Sequence, residues 1–169
     1  MTAQPVRSAF PEWSRQAGRL RDAVSLLTDE QLAIVPGPGR WPLWATIGHL
    51  ACQRVFWLCV FAGEPGAETT PFPDSGNACP GDEDLAHVLD ARQLVVALDT
   101  TFAIVERALD TWTTDSLDLE ISHPEWGEDR RVRTRGFAIG RLFAHDISHI
   151  TELNDAFTAA GLPLIDLWG

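Results

Sequence analysis

Apolar residues recur every three to four positions through four stretches of this chain, and that period predicts four helices. The first spans roughly residues 11–27, where Trp13, Ala17, Leu20, Val24 and Leu27 share a face. The segment from Thr28 to Leu32 continues it or starts a short extra turn, and Pro36-Gly37-Pro38-Gly39 then breaks the chain. Pro42 suits the first turn of a second helix, which reaches about residue 62 before Gly63 and Pro65. A Pro- and Gly-rich connection without periodicity follows, over residues 63–82. A loop of that length in a compact domain crosses the fold or lines a site. The third helix is predicted over residues 82–112, with Leu85, Val88, Leu89, Leu94, Val95, Leu98, Phe102, Val105 and Leu109 as its stripe. Asp82 and Glu83 would face the positive end of its dipole.

Between residues 115 and 135 the period shortens to two. Leu117, Leu119 and Ile121 alternate with polar residues, His123-Pro124-Glu125-Trp126-Gly127 turns, and Arg131-Val132-Arg133 alternates again. This reads as a short hairpin or an extended excursion. The fourth helix covers residues 134–160 and stops at Gly161, with Pro163 beyond. The expected architecture is a single all-α domain over residues 1–169. It is a four-helix bundle with a long second connection that crosses over and a hairpin-like excursion between helices three and four.

At 169 residues, 45% of them hydrophobic and 22% charged, the chain suits one folded domain with a real core. Its net charge of -11, with Arg supplying all 13 basic residues, repels phosphate backbones and anionic lipid. Neither a nucleic-acid nor a membrane partner is expected. The longest apolar stretch, residues 55–62, is too short to span a bilayer. The N-terminus lacks the apolar region of a signal peptide, and Cys52, Cys59 and Cys79 are odd in number and without paired spacing. These features argue against a disulfide framework and for the reducing cytoplasm.

Candidate chemistry concentrates in Leu142-Phe143-Ala144-His145-Asp146-Ile147-Ser148-His149. Residues four apart on a helix lie one above the other, so His145 and His149 can grip one ion. His49, in the apolar run Trp44-Ala45-Thr46-Ile47-Gly48-His49-Leu50, is the expected third ligand. Three imidazoles with one open position form the donor set of a catalytic divalent metal, zinc first and nickel second. Glu152, three residues after His149, could orient an imidazole, shuttle a proton or simply be solvated. Cys52, three residues after His49, reads as a packing residue, with a soft fourth ligand or redox partner as the functional alternative. Asp146 reads as a helix-surface charge, and His87 and His123 as partly exposed. The arginines 130, 131, 133 and 135 read as a solvated hairpin strand, with carboxylate docking as the alternative. Most of the seven Trp read as packing, but Trp41 and Trp44 lie towards the proposed site.

With its Trp-rich entry Arg40-Trp41-Pro42-Leu43-Trp44, its Gly48-His49-Leu50 triplet and the C-terminal histidine pair, the chain resembles the DinB-like superfamily. That superfamily includes thiol-dependent S-transferases and maleylpyruvate isomerases. The resemblance implies a metal-binding bundle whose parallel central helices are joined by the long crossover, with His49, His145 and His149 as ligands. It further implies activation of a low-molecular-weight thiol, such as bacillithiol or mycothiol, for transfer onto an electrophile. A homodimer, the small thiol and its electrophile are the expected partners. Many relatives carry Arg-Gly-Gln after the second histidine, where this chain has Ile150-Thr151-Glu152. Metal-dependent hydrolysis, with Glu152 as proton carrier, and a non-catalytic, stress-associated metal-binding dimer are the alternatives.

Overall fold

The computed structural model describes residues 4–74, 79–82, 84–123 and 133–168. Its main elements are α1 (Trp13–Ser25), α2 (Asp29–Leu32), α3 (Leu43–Val55), α4 (Ala91–Thr111) and α5 (Arg135–Ala160), with a two-stranded ribbon of β1 (Glu120–Ile121) and β2 (Arg133–Thr134). Four long helices, one of them prolonged by a wider turn, form an all-α bundle, as the periodicity predicts.

Helix α1 buries Trp13, Gln16, Ala17, Leu20 and Val24, a single stripe at helical spacing. The extra turn is a separate element, because the Thr28 side chain accepts from Gln31 N–H while the Gln31 side chain reaches back to Thr28. Helix α3 is the centre of the bundle: every residue from Leu43 to Val55 except Gln53 is buried. It continues as a π-helical turn, Phe56–Phe61, whose wider loop closes through Ala62 N–H to Trp57 O at 3.3 Å. The apolar stretch is thus longer than the eight residues first read as such. Leu43–Phe61 is long and apolar enough by length and composition to cross a membrane, but 78% of its apolar window is buried inside this fold.

The third helix starts later than its apolar stripe suggests. Asp90 caps α4, accepting from Gln93 N–H at 2.8 Å while Gln93 Oε1 takes the Asp90 N–H at 3.0 Å. Upstream, the Asp84 carboxylate accepts from the N–H groups of Ala86 and His87 and holds a separate turn. Leu85 and Val88, expected in the stripe, are 52% and 65% exposed. Asp82 therefore lies in the connection, with no helix dipole to face.

β1 pairs antiparallel with β2 in the register Glu120↔Thr134 and Ile121↔Arg133, which is the expected excursion in its shortest form. Residues 124–132, with Arg130 and Arg131, lie outside the described residues. Arg135 is not the solvated cation expected: it sits 4.7 Å from the Trp112 ring centroid and 3.7 Å from Glu64. Thr134 caps α5 by accepting from Phe137 N–H, and Gly161, at φ +68°, ends it. The Asn154 side chain then clasps the backbone of Ile165 through two 2.8 Å hydrogen bonds, folding the C-terminal segment back along α5.

One polar assembly lies inside this core, and it contradicts the surface reading of Asp146. Asp146 is 1% exposed, and its Oδ2 accepts from Arg54 Nη2 at 2.8 Å, Arg54 Nε at 3.3 Å and Trp13 Nε1 at 2.8 Å. Arg54, also 1% exposed, donates from Nη1 to Leu98 O at 3.3 Å and to Thr101 Oγ1 at 3.4 Å. Its guanidinium stands 5.0 Å from the Phe102 ring centroid. α1, α3, α4 and α5 thus meet at one ion pair. Periodicity could not show this, because α5 is covered on more than one side and the burial of Asp146 depends on a partner 92 residues away.

Removing one member of such a pair strands the other charge in the core. Asp146→Ala is expected to cost about 3–5 kcal/mol of unfolding free energy, read by denaturant titration of the metal-free protein. A loss under about 1 kcal/mol, the range of exposed ion pairs, would show that the pair is not sealed from water.

Candidate metal centre

His49 on α3 and His145 and His149 on α5 converge. His145 Nε2 lies 3.3 Å from His49 Nε2 and 3.2 Å from His149 Nε2, and one ligand atom from each lies within 4.8 Å of the others. Two imidazole nitrogens bound to one tetrahedral zinc at about 2.0–2.1 Å stand about 3.3–3.4 Å apart. The spacing suits a shared ion.

The hydrogen bonds behind the rings decide which nitrogens are free. Pro80 O can only accept, so at 3.2 Å it must take the Nδ1–H of His49 and leaves Nε2 as a lone pair. Glu152 Oε2, 3.1 Å from His149 Nδ1, does the same for the third histidine. The other oxygen, Glu152 Oε1, accepts from Arg40 Nη1 at 2.8 Å, so both carboxylate oxygens are engaged. His145 Nδ1 is buried without a protein partner. A neutral His145 has one N–H and can satisfy only one of these two lone pairs, whereas a divalent cation between the rings would take a lone pair from each of the three, and the donor set therefore fits a divalent metal.

The residues around these three rings are close-packed. Trp41 lies 4.9 Å from the His49 ring, as its place before the site suggested, whereas Trp44 is a buried core residue. Gly81 adopts φ +90°, and a Cβ there would meet the Trp41 ring at 2.7 Å. A Cβ on Gly48 would come within 3.0 Å of Pro80 Cγ, so the glycine before His49 lets the Pro80 carbonyl reach the imidazole. The long connection does line the site. Pro80, Asp82 and Arg40 were missed as site residues because they lie in aperiodic segments; the length of the loop signalled the first two, and nothing local signalled a site role for Arg40. A cavity of about 540 Å³, lined by Phe137, Gly140, Arg141, Ala144 and Ser148 among others, opens beside His145. That volume is ample for a small organic ligand.

Cysteine usage departs from expectation. Cys52 and Cys79 form a disulfide across 27 residues, and Cys59 is free. Cys52 is therefore bonded and not merely packed, and the inference from cysteine count to a reducing compartment loses its premise. Burial pushes the Cys59 thiol up to about 11, so it is not an activated nucleophile. His87 is exposed beside Asp84 as expected, but His123 is only 9% exposed, packed near the Phe56 and Phe61 rings.

A sequence profile of the DinB superfamily matches residues 12–153. The chain belongs to the DinB superfamily. Among solved structures it is similar to a DinB-like protein from Bacillus cereus, with 19% identity and a TM-score of 0.66 over 96% of this chain and 97% of that one. At that identity the likeness shows the fold of this DinB superfamily protein and nothing about its chemistry. No curated protein matches it.

Burial lowers the pKa of both His49 and His145. For His49 it outweighs the opposing pull of Asp82, and for His145 the neighbouring His149 and His49 add to it, reaching about 3. Both rings are neutral at pH 7, as ligands must be. In the unfolded chain each would take up a proton near 6.5, which the folded metal-free protein refuses until below that value, for His145 until about 3. The stability of the metal-free protein is untouched by this effect above pH 6.5 and falls below it, down to about 3 for His145. His145→Gln is expected to flatten that part of the profile; parallel wild-type and variant curves over pH 4–7 would refute it. The protein is expected to bind about one equivalent of divalent metal, and His145→Ala or His149→Ala to remove most of it. Full occupancy in the triple His→Ala variant, by elemental analysis, would disprove the assignment.

Proposed function

We propose that this DinB superfamily protein is a divalent-metal-dependent enzyme that activates a low-molecular-weight thiol for transfer onto an electrophile. One observation carries the reading: the Nε2 atoms of three histidines converge, with the tautomers of His49 and His149 set by Pro80 and Glu152, beside a cavity that reaches His145. A divalent metal held there, zinc first and nickel second, would lower the pKa of an incoming thiol so that its sulfur reacts as thiolate near neutral pH. An external nucleophile is needed, because Cys52 and Cys79 are bonded to each other and the Cys59 thiol stays protonated. In the transfer the sulfur lone pair forms the new bond to the electrophile, and the displaced group leaves with its bonding pair and takes up the thiol's proton. Low-molecular-weight thiols are kept reduced in the cytoplasm, the compartment this reading requires. Both sulfurs of the disulfide are essentially unexposed, which shields them from the same thiols.

Each side chain has a definite part in this scheme. His49, His145 and His149 hold the ion, Trp41 closes one side of the His49 ring, and the cavity beside His145 takes the thiol and its acceptor. Glu152 is a positioning residue, since one oxygen fixes His149 and the other is engaged by Arg40. That engagement disfavours hydrolysis with Glu152 as a free proton carrier.

Cobalt-substituted protein is expected to develop a thiolate-to-metal charge-transfer band on addition of a suitable small thiol, and His49→Ala to abolish it. Glu152→Gln is expected to weaken metal retention, on the order of 10-fold or more, beyond any effect on turnover per bound metal. An occupied site that no small thiol perturbs would eliminate thiol transfer and leave a metal-binding protein of other function.

A further inference from the structure

Cys52 lies on α3 three residues after His49, one turn along the same helix face. Its disulfide partner Cys79 opens the run Cys79-Pro80-Gly81-Asp82, and each residue after the cysteine meets the histidine site. Pro80 O takes the Nδ1–H of His49 at 3.2 Å, and Asp82 Oδ2 stands 3.4 Å from the same nitrogen. Gly81 lies against the ring of Trp41, which itself covers His49. No α-helix holds this run. Its backbone is tied by Gly81 N–H to Asp84 O at 2.9 Å, within the connection itself, while the disulfide bonds it covalently to α3.

We propose that the Cys52–Cys79 disulfide is a positioning element of the metal centre, so that the oxidised protein holds its metal more tightly than the reduced one. The bond anchors the run that sets the tautomer and ring angle of His49. Without it, the Pro80 carbonyl is free to leave the imidazole, and loss of such an outer partner typically costs 10–100-fold in metal affinity. Reduction by a small thiol follows ordinary exchange. A thiolate attacks the Cys79 sulfur, the S–S bond breaks and Cys52 leaves as thiolate. A second thiolate then attacks the mixed disulfide, releasing Cys79 and the disulfide of the small thiol. The two protons of the incoming thiols end on the two cysteines, which have gained two electrons. Both cysteine sulfurs are buried, at 0% and 1% residue exposure, so exchange must follow an opening of the connection.

The inference rests on the three histidines holding a metal, and it is independent of whether the protein transfers thiols. Its test uses the full-length wild-type chain, equilibrated in graded dithiol/disulfide mixtures with free zinc buffered by a chelator or absent. By linkage, a disulfide that raises zinc affinity 10–100-fold makes zinc lower the disulfide's midpoint by about 30–60 mV. The Cys52→Ala/Cys79→Ala variant is expected to bind zinc 10–100-fold more weakly while keeping its helical circular dichroism, and Cys59→Ala to match wild type. Should the double variant fail to fold, the wild-type midpoint decides. A midpoint unmoved by bound zinc overturns the proposal and leaves the histidine site standing. A midpoint that rises also overturns it, because the freed Cys52 would then be joining the metal as a ligand. Zinc binding to neither redox form defeats the histidine reading and this inference together.

Discussion

The structure turns on the ion pair between Arg54 and Asp146. Both side chains are taken out of water, so the attraction between them must be sharply aligned to offset the cost of burying two charges. That alignment is a constraint on rotation. Asp146 follows His145 directly, about 100° around α5, and Arg54 lies five residues beyond His49 on α3. When Asp146 meets Arg54, α5 is fixed about its axis with His145 and His149 towards His49. Trp13 and Thr101 bring α1 and α4 to the same pair, so the position of the histidines depends on all four long helices. A salt bridge that contributes little net stability thereby determines where the chemistry sits.

A second joint lies on the other side of the histidines. The long connection cannot place a side chain by its own regular structure, yet it places the Pro80 carbonyl within 3.2 Å of His49. Three local features make that approach feasible: a glycine at position 48 to admit Pro80, a glycine at position 81 to pass beneath Trp41, and the bond between Cys52 and Cys79. The histidine cluster is therefore gripped between a buried charge pair within the bundle and a covalently tethered loop outside it. Each joint acts through α3, the helix in which every residue but Gln53 is buried.

How much of this was legible in the sequence follows from the range of each interaction. The apolar period around the His145/His149 pair and the Gly161 stop are local patterns, and they place α5 to within a residue. The fold class follows from four apolar periods. His49 was legible because a histidine in an apolar helix needs partners. What was not legible is set by partners far away in the chain. Asp146 looks like a surface charge until Arg54 is opposite it, and Cys52 and Cys79, 27 residues apart, match no spacing pattern. The start of α4 was misplaced for a different reason: Leu85 and Val88 continue the helical period by chance, and the reciprocal Asp90–Gln93 cap overrides it.

The run after the second histidine bears on the same point. Ile150-Thr151-Glu152 differs from the Arg-Gly-Gln that the family resemblance leads one to expect, and the structure accounts for each residue. Ile150 is buried in the core, and Thr151 Oγ1 donates back to Ile147 O at 2.8 Å on the exposed side. Glu152 brings a full negative charge to the outer side of His149, where an amide would bring only a dipole. A carboxylate behind a ligating imidazole raises the basicity of the ring and so strengthens its hold on a cation. The same charge would destabilise a partly buried site if left alone, and Arg40, from the segment that leads into α3, neutralises it at 2.8 Å. Arg40 and Trp41 are adjacent in sequence, so the entry to α3 supports His149 through Glu152 with one residue and covers His49 with the next. The departure leaves the three histidines intact and gives one of them a more strongly charged support, which favours tight retention of a divalent metal.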